Sequence, residues 1–209
     1  MKDVRQEFWE NPQVVKSFTD RPPSTYITNV LDELTENNPS LKILDIGCGG
    51  GRYSKYLGKQ GLDITALDKH EKIAASLREH QIPFILANMS SIPLETGRFD
   101  LILSIGVLHN AISLDELKQS VSEISRLLKP KGYLLCSIFT NDIISDDLTS
   151  IKGNVFLISK TLPMILLSKK DINSMFVKNG LYQLKVVDEH ITNVGTGERY
   201  VYSALFQKR

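Results

Sequence analysis

The stretch Lys42 to Arg52, K-I-L-D-I-G-C-G-G-G-R, constrains this chain more than any other. Ile43, Leu44 and Ile46 make a short apolar run suited to a buried parallel strand. Gly47, Gly49, Gly50 and Gly51 then follow within five positions. Such a cluster is costly in backbone entropy, so a steric requirement stands behind it. A sharp strand-to-helix turn with its backbone open to a ligand meets that requirement. Tyr53, Tyr56 and Leu57 share one helical face behind the turn, and Gly61 sits where that helix should stop. A helix opening on this turn points its first N–H groups at whatever is bound.

The ligand can be narrowed by charge. A dinucleotide fingerprint, G-x-G-x-x-G, needs a third glycine, and Arg52 occupies that place. Asp45 stands two residues before Gly47, where a carboxylate repels a pyrophosphate and attracts an ammonium or sulfonium group. D-I-T-A-L-D then reads as a second strand ending at Asp68, a carboxylate placed to accept ribose hydroxyls. Together these favour a nucleoside with a cationic tail over a nicotinamide dinucleotide.

With these motifs, and with N-M at 88–89 and F-D-L-I-L-S-I-G-V-L-H at 99–109, the sequence resembles the class I S-adenosylmethionine (SAM) dependent methyltransferases, small-molecule branch. The resemblance covers residues 29–139 well and the remainder loosely. It implies a Rossmann-like, doubly wound α/β/α domain with a seven-stranded, mostly parallel sheet and one antiparallel last strand. It implies SAM as cofactor, with S-adenosylhomocysteine as product. The cofactor set it implies is Arg21, Asp45, Gly47, Cys48, Gly49, Arg52, Asp68, Lys69, Asn88, Met89, Ser104 and Ile105. Asn88 would read the adenine amino group, and Met89 would pack on the ring.

The other elements follow from periodicity. Residues 1–38 read either as helix packed on the domain or, as the resemblance implies, as a helical cover over the site; Ile27, Val30, Leu31 and Leu34 mark a helix over 25–36. A helix over 71–80 and a strand F-I-L-A come next. Phe99–Ile105 is the fourth strand. Ser113 and Glu116 form a capping box before a helix that buries Leu117, Val121, Ile124, Leu127 and Leu128. Tyr133–Phe139 is the fifth strand. Residues 141–167 lack periodicity and read as a substrate-side insertion or as plain core, with Asp142, Asp146 and Asp147 in a solvated turn. A helix from Ser168 to Gly180 precedes two strands, Leu181–Val187 and Tyr200–Phe206, joined by a loop holding Gly195 and Gly197.

Methyl transfer needs orientation and exclusion of water, and a base only when the acceptor holds its proton. His109, at the end of the fourth strand, is the candidate base; the alternative is a histidine that only shapes the pocket. Trp9, Phe18, Tyr26, His109 and Phe139 are the candidate acceptor contacts. His70, His80 and His190 show no metal-ligand spacing with Cys48 and Cys136, so no metal is expected. Lysines and arginines number 25 against 24 acidic residues, which leaves no basic footprint for nucleic acid. The expected partner is a small methyl acceptor, the expected state a monomer or homodimer, and the expected place the cytoplasm, away from membranes. A SAM-binding protein without catalysis and an NAD(P) oxidoreductase are the alternatives.

Overall fold

The computed structural model describes residues 4–158, 162–194 and 197–209; the side chains of residues 4, 5, 18 and 73–75 lie outside that description. Gly195 and the side chain of Phe18 therefore fall outside it. Three helices lead: α1 (Val4–Glu10), α2 (Pro12–Thr19) and α3 (Thr25–Asn37). Asn11 separates the first two, and its side-chain oxygen accepts from the Gln13 N–H at 2.9 Å, with Pro12 at the first helical position.

β1 (Lys42–Ile46), α4 (Arg52–Gly58), β2 (Asp63–Asp68), a short turn of 3-10 helix at Glu71–Ala74 with α5 (Ala75–Arg78), and β3 (Phe84–Leu86) make the first winding. β4 (Phe99–Ile105), α6 (Leu114–Leu127) and β5 (Leu128–Thr140) make the second. β6 (Leu148–Lys152), β7 (Val155–Ile158) and β8 (Leu162–Ile165) follow, then α7 (Lys169–Lys178), β9 (Leu181–Asn193) and β10 (Glu198–Lys208).

The main sheet runs β3-β2-β1-β4-β5-β10-β9. β1, β2, β3, β4 and β5 pair in parallel, and β10 runs antiparallel between β5 and β9. That is the mostly parallel seven-stranded sheet with an antiparallel last strand. Helices cover both faces. Leu117, Val121 and Ile124 of α6 and Ile172 and Phe176 of α7 pack on one. Ile27 and Leu31 of α3, Tyr53 and Leu57 of α4 and Leu77 of α5 pack on the other.

Several boundaries differ from the periodicity reading. The helix expected over 71–80 shortens to a 3-10 turn and one α turn. α4 stops at Gly58, and Gly61 turns the chain at φ +77°. β5 begins at Leu128, because Lys131 at φ +63° lets the chain bulge past Pro130 and rejoin β4. The hairpin strands β9 and β10 are longer than the apolar runs, since alternating polar residues continue the ladder on the exposed side.

The largest difference lies in the insertion. β6, β7 and β8 form a separate three-stranded antiparallel sheet. Its Leu148, Phe156, Ile158, Leu162, Met164 and Leu166 bury together against Phe8 of α1 and Phe139 of β5. Asp147 is no solvated turn residue. It forms a two-pronged pair with Arg199, at 2.7 and 3.0 Å, and the Arg199 side chain is only 1% exposed. The pair ties the small sheet to β10. Asp142 accepts from the Lys169 N–H at 2.9 Å at the start of α7. Among the described residues no helix is long and apolar enough to cross a membrane.

Candidate active site

The carboxyl ends of the parallel strands open on a cavity of about 440 Å³, roofed by α1, α2 and β8. That size suits a cofactor and a small partner. The glycine turn forms its floor. Gly47 sits at φ +67°, and a Cβ there would lie 2.3 Å from Val107, so the turn needs glycine on both counts. The N–H groups of Gly47 and Cys48 both donate to the Leu67 carbonyl, at 2.8 and 3.0 Å, which locks the turn to β2.

Two carboxylates flank the turn. Asp45 is 2% exposed, and one of its oxygens accepts the Ser54 hydroxyl at 2.6 Å. Burial pushes its carboxyl up to about 6, against the opposing pull of the Ser54 bond and of Arg52. Asp68 is held by two backbone N–H groups, Gly49 at 3.1 Å and His70 at 3.0 Å, one on each oxygen. The bonds fix its direction and leave lone pairs for a ligand.

Asp45, Gly47, Cys48, Gly49, Arg52, Asp68, Lys69, Asn88, Met89, Ile105 and Arg21 all line this cavity. So do Trp9, Tyr26, His109 and Phe139. Ser104 does not. Strand alternation turns it away from Ile105, and it is fully buried outside the cavity lining. Asn88 lines the cavity with its side chain engaged: its amide donates to Glu116 at 2.9 Å, and its oxygen accepts from Ser90. Cys48 and Cys136 are buried free thiols; burial pushes Cys136 up to about 12 and Cys48 well above its usual range.

His109 stands just after β4, in the turn Leu108–Asn110, with its Nδ1 already engaged. Its ring stacks on Phe139 with centroids 4.1 Å apart and planes 15° from parallel. The Phe139 backbone N–H donates to its Nδ1 at 3.2 Å. A backbone N–H can only donate, so Nδ1 carries the lone pair and the proton sits on Nε2. Burial pushes the ring down to about 3, helped by the nearby Arg199 charge. His109 is thus a neutral imidazole that offers a donor.

Sequence reasoning missed two lining histidines. His70 is 7% exposed, with Nδ1 3.8 Å from Glu10 of α1, and burial lowers its pKa. Glu10 also binds Lys72 at 2.8 Å, which ties α1 to the turn after β2. His190 lines the cavity from β9 and pairs through Nδ1 with Asp188. D-x-H on a strand puts both side chains on one face, a signal the period of two makes available. Among the described residues no group of three or more His, Cys, Asp or Glu is arranged to hold a metal.

Residues 44–136 match a family model described as a methyltransferase domain, just under half of the chain. The glycine turn, β2 and β4 fall inside this stretch, which is similar to methyltransferase domains. The chain is 32% identical over 108 residues to a malonyl-[acyl-carrier protein] O-methyltransferase of Enterobacter lignolyticus, covering 50% of this chain and 41% of that protein. It is 30% identical over 98 residues, 46% of this chain, to a mouse tRNA (carboxymethyluridine(34)-5-O)-methyltransferase, covering 14% of that protein. The chain therefore spans less than half the length of these curated relatives. Among solved structures, a 1,6-didemethyltoxoflavin N1-methyltransferase from Burkholderia thailandensis, bound to 1,6-didemethyltoxoflavin and S-adenosylhomocysteine, superposes with a TM-score of 0.68 at 18% identity. The match covers 98% of this chain and 87% of that one.

Proposed function

We propose that this protein transfers a methyl group from SAM to a small, partly apolar molecule held in the same cavity. The observation that carries the reading is the pairing of Asp45 and Asp68 across a left-handed glycine turn on the floor of a roofed cavity. The residues present fit the cofactor. A buried carboxyl raised to about 6 gains from a cationic neighbour, which SAM offers and a pyrophosphate does not. Gly49 has open space around its would-be Cβ, so a ligand can approach the backbone there. Asp68, set by its two backbone donors, is placed to accept ribose hydroxyls, and Met89 offers a thioether for an aromatic ring.

Bound SAM supplies an electrophilic methyl group on a sulfonium. The chain's own part is to orient, to exclude water and to place the acceptor. α1 and β8 do the excluding: Phe8, Trp9, Leu162 and Met164 line the roof. His109 offers its Nε2–H from an apolar wall. The near-equal count of acidic and basic residues favours a small acceptor over the tRNA on which the mouse relative acts. An NAD(P) oxidoreductase would have to seat its pyrophosphate beside Asp45.

Calorimetry on folded Asp68→Ala tests the cofactor assignment. Loss of two charge-assisted hydrogen bonds should weaken SAM by at least about tenfold. Unchanged affinity, or tighter binding of NAD than of SAM to the native protein, would overturn it. A methylation that requires tRNA would overturn the acceptor class.

A further inference from the structure

Two of the histidines that line the cavity, His109 and His190, have opposite hydrogen-bond polarity. The sheet register fixes their relation. Phe139 of β5 pairs with Val201 of β10, and Val201 pairs with His190 of β9. Paired residues share a face, and all three line the cavity. His190 therefore stands two strand spacings from Phe139, about 9–10 Å along the sheet. His109 lies stacked on Phe139 at the near end of that row.

Each ring has its Nδ1 assigned by a neighbour that allows one role only. Phe139 N–H donates to His109, so His109 presents Nε2–H. The Asp188 carboxylate accepts from His190, so His190 carries its proton on Nδ1 and presents a lone pair at Nε2. The groups facing His190 are Asp188 on its own strand and Tyr26 of α3, whose ring meets it edge-on with centroids 5.5 Å apart. From β10 it faces uncharged Val201. A histidine oriented by a carboxylate and open at its other nitrogen is the arrangement a general base requires.

We propose that His190, oriented by Asp188, is the proton acceptor of this site, and that the methyl acceptor lies over Val201 between the two histidines. It presents an acidic hydroxyl, of phenol or enol type, to His190 and a carbonyl-like oxygen to His109. This rests on the methyltransferase reading above. The acceptor's O–H bond breaks toward Nε2 of His190, and the freed pair forms the bond to the methyl carbon. The electrons of the broken carbon–sulfur bond stay on sulfur. His190 is left as an imidazolium paired with Asp188 and returns its proton to water. Asp188 is a positioning residue; it touches His190 and no reacting atom.

Long-range 15N–1H correlation spectra of imidazole-labelled protein test the polarity without turnover. At pH 8 His109 should show protonated Nε2 and His190 protonated Nδ1. Asp188→Asn should remove the His190 preference and leave His109 unchanged. The substrate class is tested with 4-nitrophenol, which carries an acidic hydroxyl at one end and nitro oxygens at the other. In the presence of S-adenosylhomocysteine it should bind with the absorbance of the ionised phenolate. His190→Phe and Asp188→Asn should weaken it at least tenfold while S-adenosylhomocysteine affinity stays within twofold. His190 protonated on Nε2, equal probe affinity in the variants, or no binding of the probe to the native protein would overturn the proposal. Failure of S-adenosylhomocysteine itself to bind, with the tautomers as stated, would instead overturn the cofactor reading.

Discussion

The cavity is made of two halves that hold themselves together in different ways. The strand-end half, around Asp45, Asp68 and the glycine turn, is built from near neighbours. Asp45 meets Ser54 nine residues on, and Asp68 meets Gly49 nineteen residues back. The covering half is built from distant ones. Arg199 holds Asp147 across 52 residues, and Lys72 reaches Glu10 on α1. Phe139, Val201 and His190 share a row only because three strands agree in register. The first half sets the glycine turn on the strand ends of the main sheet. The second places side chains over it, and its chemistry is set by pairing rather than by motif.

Cutting the covering half from the sheet should give the largest effect. Asp147→Ala leaves the Arg199 guanidinium buried without its carboxylate, a loss of about 3 kcal/mol in denaturant unfolding. The pH dependence has a definite sign. Arg199 holds the Asp147 carboxyl below its ordinary 3.8, so the folded form binds its proton more weakly than the unfolded chain. This stabilisation is complete above pH 3.8 and is lost as pH falls through the lower folded value. Asp147→Ala should flatten that part of the acid-unfolding curve. A stability change under about 1 kcal/mol would show that the small sheet does not depend on the pair.

A smaller effect should follow where the two halves touch. Gly50 packs under α2: a Cβ there would lie 1.8 Å from the Thr19 hydroxyl and 2.9 Å from the Thr19 Cα. Backbone cannot yield as a side-chain tip can, so Gly50→Ala must lift α2. The cost should be about 1–2 kcal/mol, as for other overpacked sites. Proteolysis after the lift should begin in residues 11–24 and spare the sheet. Unchanged cleavage would mean that the loop, and not α2, makes room.

Legibility in the sequence follows the same division. β1, the glycine turn, β2 and β4 could be read because each is a local pattern of apolar run, glycine and carboxylate. The small sheet could not. Its strands are four or five residues long, too short to show a period. Asp147 resembles any aspartate in a polar turn until Arg199 is brought beside it by β10. Ser104 follows the same logic, since a residue one step from the cavity lining on a strand faces the opposite side. The basic role expected for His109 depended on a tautomer, and the tautomer depends on a backbone N–H thirty residues away. Asp188 and His190 were open to a reading of strand alternation, but D-E-H carries no weight until Val201 and Phe139 set it over the cavity.

The last prediction belongs to the strand-end half and is the smallest. It also runs opposite in sign to Asp147. Burial raises the Asp45 carboxyl from 3.8 to about 6, so the folded protein takes up a proton there before the unfolded chain does. Stability of the ligand-free protein from this group should therefore rise as pH falls from about 6 toward 3.8, where Asp147 still contributes in full. A cationic ligand reverses the preference. Ionised Asp45 attracts it and protonated Asp45 does not, so binding must expel the proton. SAM affinity should then fall by up to about tenfold between pH 7 and pH 5, the limit for one group titrating near 6. Calorimetry at pH 5.5 in two buffers of different ionisation enthalpy should show net proton release on SAM binding. Asp45→Asn should abolish both the release and the slope. A slope that survives in Asp45→Asn would move the titration to another group and remove Asp45 from contact with the cation.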